Sequence, residues 1–350
     1  GFVKYKDEFE KLLRAYGWKI CKTCTKLFTR PEIEEFYICH KDKGFYNKLC
    51  DYMITEACEC YSCYKNCKDM KRKVAIQGIA GSFHDIAARN YFQGEEIEAI
   101  ACDTFKDVFQ TIKKDNSIVG AVAIENTIAG SLLHNYELLR DSGMQIVGEH
   151  KLRISHSIMC LPEDDWADIR EVNSHPVALM QCREFLKVHS GLKVVEADDT
   201  AGAAKLISEQ GLRGHAAICS KFAAPLYCMK VLQEGIKTNK HNFTRFLVLS
   251  DPWNAEEICN PRKSNKSSIV FSLPHNEGSL SQVLSIFSFY RINLTKIQSL
   301  PIIGREWEYM FYVDVTYDDY TRYRQSIDAM RPLTKQFKIL GEYEDGKSTF

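Results

Sequence analysis

Asn242-Phe243-Thr244-Arg245-Phe246-Leu247-Val248-Leu249 sets a hydroxyl and a guanidinium at the head of an apolar run. A short apolar run bounded by polar residues reads as a buried strand. Such a strand can hold Thr244 and Arg245 rigidly against a small anion. By itself the Thr-Arg-Phe tripeptide also fits an ordinary polar strand entry. Its weight comes from the chain before it, where four polar turns recur between strand-like and helix-like segments.

Working backward, 216–219, 192–196, 169–173, 117–124 and 73–76 read as strands. Helical stripes stand between them: Phe83, Ile86, Ala87 and Tyr91 after Ser82; Leu132, Leu133, Tyr136 and Leu139; Leu179, Cys182, Phe185 and Leu186 behind Pro176; Ala203, Leu206 and Ile207 behind an Asp199 or Thr200 cap; and 222–229. This β-then-α order predicts α/β architecture with parallel sheets covered by helices. The stretch is long enough for two small lobes with a cleft between them.

Working forward, 251–268 is polar and carries Pro252 and Pro261, so it reads as a linker. Then 268–273, 294–300, 309–315 and 337–340 read as strands. Gly278 opens one helix and 320–330 forms another, a ferredoxin-like βαββαβ order.

Lysine plus arginine and aspartate plus glutamate each number 46, so net charge is zero and no basic footprint points to nucleic acid or an anionic membrane. No apolar run approaches the roughly 20 residues of a membrane span. The charged start (Lys4, Lys6, Asp7, Glu8) holds no signal-peptide segment. Of 14 cysteines, eight precede residue 73 and six are scattered through apolar or helical segments, which favours a reducing, cytoplasmic setting over a disulfide scaffold.

Each polar turn has a chemical and a bland reading. Gly78-Ile79-Ala80-Gly81-Ser82 offers helix-start N–H groups to an anion, or is a plain βα turn with Ser82 as cap. In Glu125-Asn126-Thr127-Ile128-Ala129-Gly130-Ser131 a carboxylate, an amide and a hydroxyl follow a strand's carboxyl end, where ligands bind in open α/β sheets. Gly130 and Ser131 are expected to start another helix, and in the bland reading Glu125 is solvated. Ser174-His175-Pro176 is a third turn, in which the His175 ring braces the chain or acts as a base. Thr200, in the fourth, is a cap or a ligand contact. His84, His134 and the aromatic stripes read as structural.

Taken in order, Gly-Ser-Phe at 81–83, Ile-Glu-Asn at 124–126, Ser-His-Pro at 174–176, Asp-Thr-Ala at 199–201 and Thr-Arg-Phe at 244–246 resemble prephenate dehydratase. The 267–350 segment resembles an ACT domain, a small-molecule sensing module. Together they imply a two-lobed, periplasmic-binding-protein-like catalytic domain at 73–252. Lobe 1 would take about 73–150 and 243–252, and lobe 2 about 151–242, followed by a linker at 253–266 and the ACT domain. Thr127 stands where the family usually has Ser, and Val177 where many members have Gln.

The resemblance implies a lyase of phenylalanine biosynthesis that takes prephenate to phenylpyruvate, water and carbon dioxide. Thr244 would donate to the departing hydroxyl and Arg245 would clamp a carboxylate. Ser82, Glu125, Asn126, Thr127, Ser131, Ser174, Thr200, Asn242 and Phe246 would bind substrate. No metal, nicotinamide or pyridoxal phosphate is implied for the chemistry. Phenylalanine would bind as effector at Asn276, Gly278, Ser279, Leu280, Gln298 and Ser299. The family's usual Glu-Ser-Arg-Pro is here Gln298-Ser299-Leu300-Pro301, so two charges are lost, which Glu277 or Arg305 could replace. A homodimer or homotetramer is expected. The rival readings are an arogenate dehydratase and a non-catalytic amino-acid-binding regulatory protein.

The Cys-rich extension, 1–72, carries Cys21-x2-Cys24 and Cys60-x2-Cys63, a spacing that suits zinc. Met70 is equally a natural start, which would make residues 1–69 upstream readthrough.

Overall fold

The structure is a computed structural model that describes residues 71–350 except 240, 306, 307, 347 and 350, and except the side chains of 261, 348 and 349. The zinc ligands expected at Cys21, Cys24, Cys60 and Cys63 lie outside the described residues.

Lobe 1 is built from strands buried on both faces. β1 (Arg72–Gln77) sends Val74 and Ile76 to one side of its sheet and Ala75 to the other. α1 (Phe83–Tyr91) is capped by Ser82, whose hydroxyl accepts the Asp85 N–H. β2 (Ile97–Cys102) leads to α2 (Phe105–Lys114), opened by a reciprocal capping box of Thr104 and Asp107. β3 (Val119–Asn126) then doubles back into β4 (Gly130–Ser131). Gly130 and Ser131 therefore close a hairpin and do not start a helix, which corrects the sequence expectation. Gly130 takes the positive φ, 82°, that the return requires. α3 (Leu133–Ser142) begins only afterwards, and β5 (Gln145–Arg153) crosses toward lobe 2.

Lobe 2 holds β6 (Ser157–Cys160), β7 (Glu171–Ser174), β8 (Lys193–Glu196), β9 (His215–Cys219) and β10 (Lys230–Gln233), in the order β10-β6-β9-β7-β8. The helices are α4 (Pro176–Gln181), α5 (Arg183–Val188), α6 (Thr200–Gln210) and α7 (Ala223–Leu226). The single helix expected behind Pro176 is broken in two at the buried Cys182, which leaves helical geometry at φ −106°, ψ 15°.

β11 (Phe243–Ser250) returns to lobe 1 and lies antiparallel between β3 and β5. The lobe 1 sheet runs β16-β5-β11-β3-β1-β2, where β16 is Ser348–Thr349. Parallel sheets were the expectation; both sheets are mixed. In lobe 1 the reason is topological, since β5 leaves for lobe 2 and β11 comes back from it. The expected linker is partly helix: Pro252 takes the first position of α8 (Pro252–Ile258), Asp251 caps it, and Ala255 is buried on lobe 1.

The C-terminal sheet has β12 (Lys266–Ser272), β13 (Asn293–Pro301), β14 (Tyr309–Thr316) and β15 (Lys335–Tyr343), all antiparallel neighbours in the order β13-β14-β12-β15. α9 (Ser279–Phe289) and α10 (Tyr320–Met330) cover one face, with Val283, Phe287, Tyr323 and Ile327 packed on Ile269 and Phe271. The other face lies on lobe 1. There Val270, Leu300, Met310 and Leu340 share one core with Ile124, Leu139, Ile146 and Leu247. Each such side chain contributes about 1.5–3 kcal/mol on burial, so the contact is a shared core. Both lobes and this sheet form one unit, Lys73–Phe350. Among the described residues no helix is long and apolar enough to cross a membrane.

Candidate active site

Strand alternation decides what β11 offers to each side. Thr244, Phe246 and Val248 share one face; Arg245, Leu247 and Leu249 share the other. The first face looks into a cleft of about 650 Å³ between the lobes. Lobe 1 lines it with Thr244, Phe246, Ala123, Asn126 and the Ser82–His84 helix start. Lobe 2 faces them with His156, His175, Val177, Gln181, Asp199 and Thr200.

Asn126 stands directly opposite Thr244 on β3. Its Oδ1 accepts the N–H groups of Ile128 and Ala129, each at 2.9 Å. Its Nδ2 must therefore be the donor, and it reaches Thr244 Oγ1 at 2.9 Å and Asn242 Oδ1 at 2.7 Å. A hydroxyl that accepts from an amide keeps its own proton to give. Among the described residues no acceptor takes that proton, so Thr244 is poised to donate into the cleft.

Two neutral imidazoles also line the cleft. Burial lowers the pKa of His84 and of His156 to about 4. The His84 ring stands edge-on to Phe246 at 5.0 Å and its Nε2 accepts the Ala123 N–H. The His156 Nε2 is 2.8 Å from Gln181 Oε1, and its buried Nδ1 has no partner among the described residues. His175 braces its turn, with Nδ1 accepting the Val177 N–H.

Arg245 does not reach the cleft, which corrects the expected carboxylate clamp. It points to the C-terminal sheet, donating to Glu149 Oε2 at 2.6 Å, Asp314 Oδ2 at 2.5 Å and the Tyr343 hydroxyl at 3.0 Å. Burial opposes its charge, but Tyr343, Asp314 and Glu149 outweigh that and raise its pKa well above the usual value. The cause is the strand period: a residue next to Thr244 must face the other way.

Five expected substrate contacts also lie outside the lining of the cleft: Glu125, Thr127, Ser131, Ser174 and Asn242. β3 and β11 slip register between Arg245 and Phe246, so Ile124 and Glu125 both turn to the C-terminal sheet. Glu125 and Ser131 meet Lys296 there. Ser174 is fully buried and donates to the Ile218 carbonyl, tying β7 to β9. Thr127 links its turn to the return strand, donating to the His241 carbonyl and accepting the Phe243 N–H. Asn242 is buried behind Asn126. Ser82, Asn126, Thr200, Thr244 and Phe246 are brought together.

Residues outside the sequence expectation also line the cleft: Phe83, Phe105, Lys106, His156 and Gln181. Lys106 is the lysine of the lining and lies within the Thr104-x-x-Asp107 capping box, a signal legible in the sequence. Gln181 lies four residues beyond Val177, on the same face of α4.

At the C-terminal sheet, Ser272 and Leu300 flank Met310 in one row, so the α9 start and the end of β13 lie at one end. Asn276, Gly278, Ser279 and Leu280 enter α9 there. Gln298 and Ser299 precede Leu300, which is buried in the core shared with lobe 1.

Residues 74–253 match the family described as prephenate dehydratase. The chain belongs to the prephenate dehydratase family. Arogenate dehydratase 1 of Petunia hybrida is 36% identical over 291 residues, 77% of this chain and 66% of its own length. Arogenate dehydratase/prephenate dehydratase 6, chloroplastic, of Arabidopsis thaliana is 35% identical over 290 residues, 77% of this chain and 68% of its own length. The chain thus spans about two thirds of the length of these curated relatives. The prephenate dehydratase from Arthrobacter aurescens, solved in complex with L-Phe, shares the fold at a TM-score of 0.67 and 23% identity, over 78% of this chain and 90% of that one. Within the prephenate dehydratase family, then, this chain presents its Thr-Arg-Phe strand with the hydroxyl and the guanidinium on opposite sides.

Proposed function

We propose that the chain catalyses the decarboxylating dehydration of prephenate to phenylpyruvate, a step of phenylalanine biosynthesis. The observation that carries this reading is the Thr244 hydroxyl, which accepts from Asn126 and holds a free proton over the inter-lobe cleft. In the reaction the ring carbon–oxygen bond breaks and the hydroxyl, taking a proton, leaves as water. The bond to the ring carboxylate breaks as carbon dioxide departs, and its electron pair completes the aromatic ring. Thr244 stabilises charge growing on the leaving oxygen. Lys106 and the N–H groups at the starts of α1 and α6 face the carboxylates. Neutral His84 and His156, with Phe246, give the ring an uncharged flank. Aromatisation supplies the drive, so neither metal nor organic cofactor is proposed; dialysis against a chelator should leave the rate unchanged.

Arogenate, in which an ammonium replaces the side-chain keto oxygen, is the second reading. Asp103 and Asp199 line the cleft and suit that ammonium. Purified chain should form phenylpyruvate from prephenate or phenylalanine from arogenate. Formation of neither would favour a non-catalytic amino-acid-binding protein.

Phenylalanine is the proposed effector, between the α9 start and the end of β13. The uncharged Gln298 and Leu300 favour weak affinity. Calorimetry that gives no heat, with no change in activity, would reject it. Assembly into a dimer or tetramer is proposed through β13, an edge strand carrying the exposed Ile297. Light scattering at the monomer mass would refute this. A cytoplasmic setting is proposed from the free thiols of Cys102, Cys160, Cys182, Cys219, Cys228 and Cys259.

A further inference from the structure

We infer that Lys296, on β13 of the C-terminal sheet, is a positioning residue for the dehydration: it pins the β3–β4 hairpin that sets Asn126, and through Asn126 the Thr244 hydroxyl. This inference rests on the reading of Thr244 as the donor in the proposed reaction.

The hairpin is small. Two register pairs make it, Glu125 with Ser131 and Asn126 with Gly130. β3 is held on its other side by β11, but β4 pairs with β3 alone, and so short a ribbon adds little hold of its own. One ammonium clamps both of its strands. Lys296 Nζ lies 2.5 Å from Glu125 Oε2 and donates to Ser131 Oγ at 2.9 Å, so a single cation bridges the outermost pair. The lysine side chain is only 16% exposed and its charge also stands over the Tyr136 ring, 5.7 Å from the centroid. Among the described residues Glu125 has no cation nearer than Lys296. Arg245 comes no closer than 3.8 Å, because its guanidinium is held by Glu149, Asp314 and Tyr343.

The next residue along β3 is Asn126. Its position within the turn is set by the Ile128 and Ala129 N–H groups, and its Nδ2 sets Thr244. Every link from Lys296 to the reacting hydroxyl is therefore a direct contact: ammonium to Glu125 and Ser131, hairpin to Asn126, amide to Thr244. This partly buried pair acts on geometry, and a shift of about 1 Å at a catalytic group can cost on the order of 10²-fold in rate.

The test uses the full chain and three variants: K296A, K296R and K338A. Lys338 is a second lysine reaching from the C-terminal sheet to lobe 1, at the Arg140 carbonyl, and serves as control. Steady-state kinetics with prephenate and arogenate are read beside amide exchange by mass spectrometry. K296A should lower kcat at least about 10-fold with KM nearly unchanged, and exchange should quicken at Ile128, Ala129 and Leu132 but not across lobe 1. K296R should restore both, and K338A should change neither. Wild-type kcat with unchanged hairpin exchange in K296A would overturn the inference. So would K338A proving as damaging as K296A, or exchange quickening throughout lobe 1. If the wild type acts on neither acid, the proposed function fails, and the exchange result alone decides whether Lys296 holds the hairpin.

Discussion

Asn126 Nδ2 donates to Thr244 Oγ1 across 2.9 Å, from directly opposite on the adjoining antiparallel strand. The direction of that bond leaves the hydroxyl proton free. Asn126→Asp, nearly isosteric, reverses it, because a carboxylate can only accept and would capture the Thr244 proton. We expect kcat to fall roughly 10²-fold or more with the melting temperature within a few degrees of wild type. Steady-state kinetics beside thermal melting would check this.

Thr244→Ala removes the donor altogether. Its kcat should drop about 10²–10³-fold, whereas Thr244→Ser, which keeps the oxygen, should retain a much larger share of activity. Full turnover by the alanine variant would refute the donor role.

Arg245→Met tests which side of β11 matters for the guanidinium. Removing it strands the buried carboxylates of Glu149 and Asp314, a loss of about 3–5 kcal/mol. The surviving folded protein should bind substrate with nearly unchanged KM. Arg245→Lys should not rescue stability, since one ammonium cannot serve three separated acceptors as a planar fork does. Denaturant titration and KM separate this from a carboxylate clamp, which would raise KM sharply.

Acid sensitivity follows from His156. Its folded pKa of about 4 lies below the unfolded value of 6.5, so the unfolded chain binds the proton first. Its contribution is fully present above about pH 6.5 and is lost as pH falls toward 4. At 1.36 kcal/mol per unit this is on the order of 3 kcal/mol. His84 acts in the same direction. Urea titrations between pH 7.5 and 4.5 should show the decline, and His156→Asn should make it shallower. An unchanged slope in the variant would remove His156 from the account.

The sequence carries the two-lobed α/β order and the βαββαβ module because periodicity and turn chemistry are local. It also carries more about Thr-Arg-Phe than its chemistry alone suggests. Consecutive strand residues face opposite ways, so Thr244 and Phe246 share a side that excludes Arg245. Glu125 is different. It turns away from the cleft because of a one-residue slip against β11, which no local pattern announces. Ser174 likewise looks like a turn hydroxyl until β9 is laid beside it. His156 and Gln181 come together only through the fold of lobe 2, being 25 residues apart.

The shared core beneath the C-terminal sheet has a consequence for control. Val270, Met310 and Leu340 cannot part from Leu139, Ile146 and Leu247 without wetting apolar surface on both sides. Arg245 would at the same time lose two of its acceptors, Asp314 and Tyr343. Undocking of this sheet like a hinged cover therefore carries a large apolar cost. A signal reaching this sheet would have the packed contact to travel through, and the short β3–β4 ribbon beside Thr244 is tied to it by Lys296.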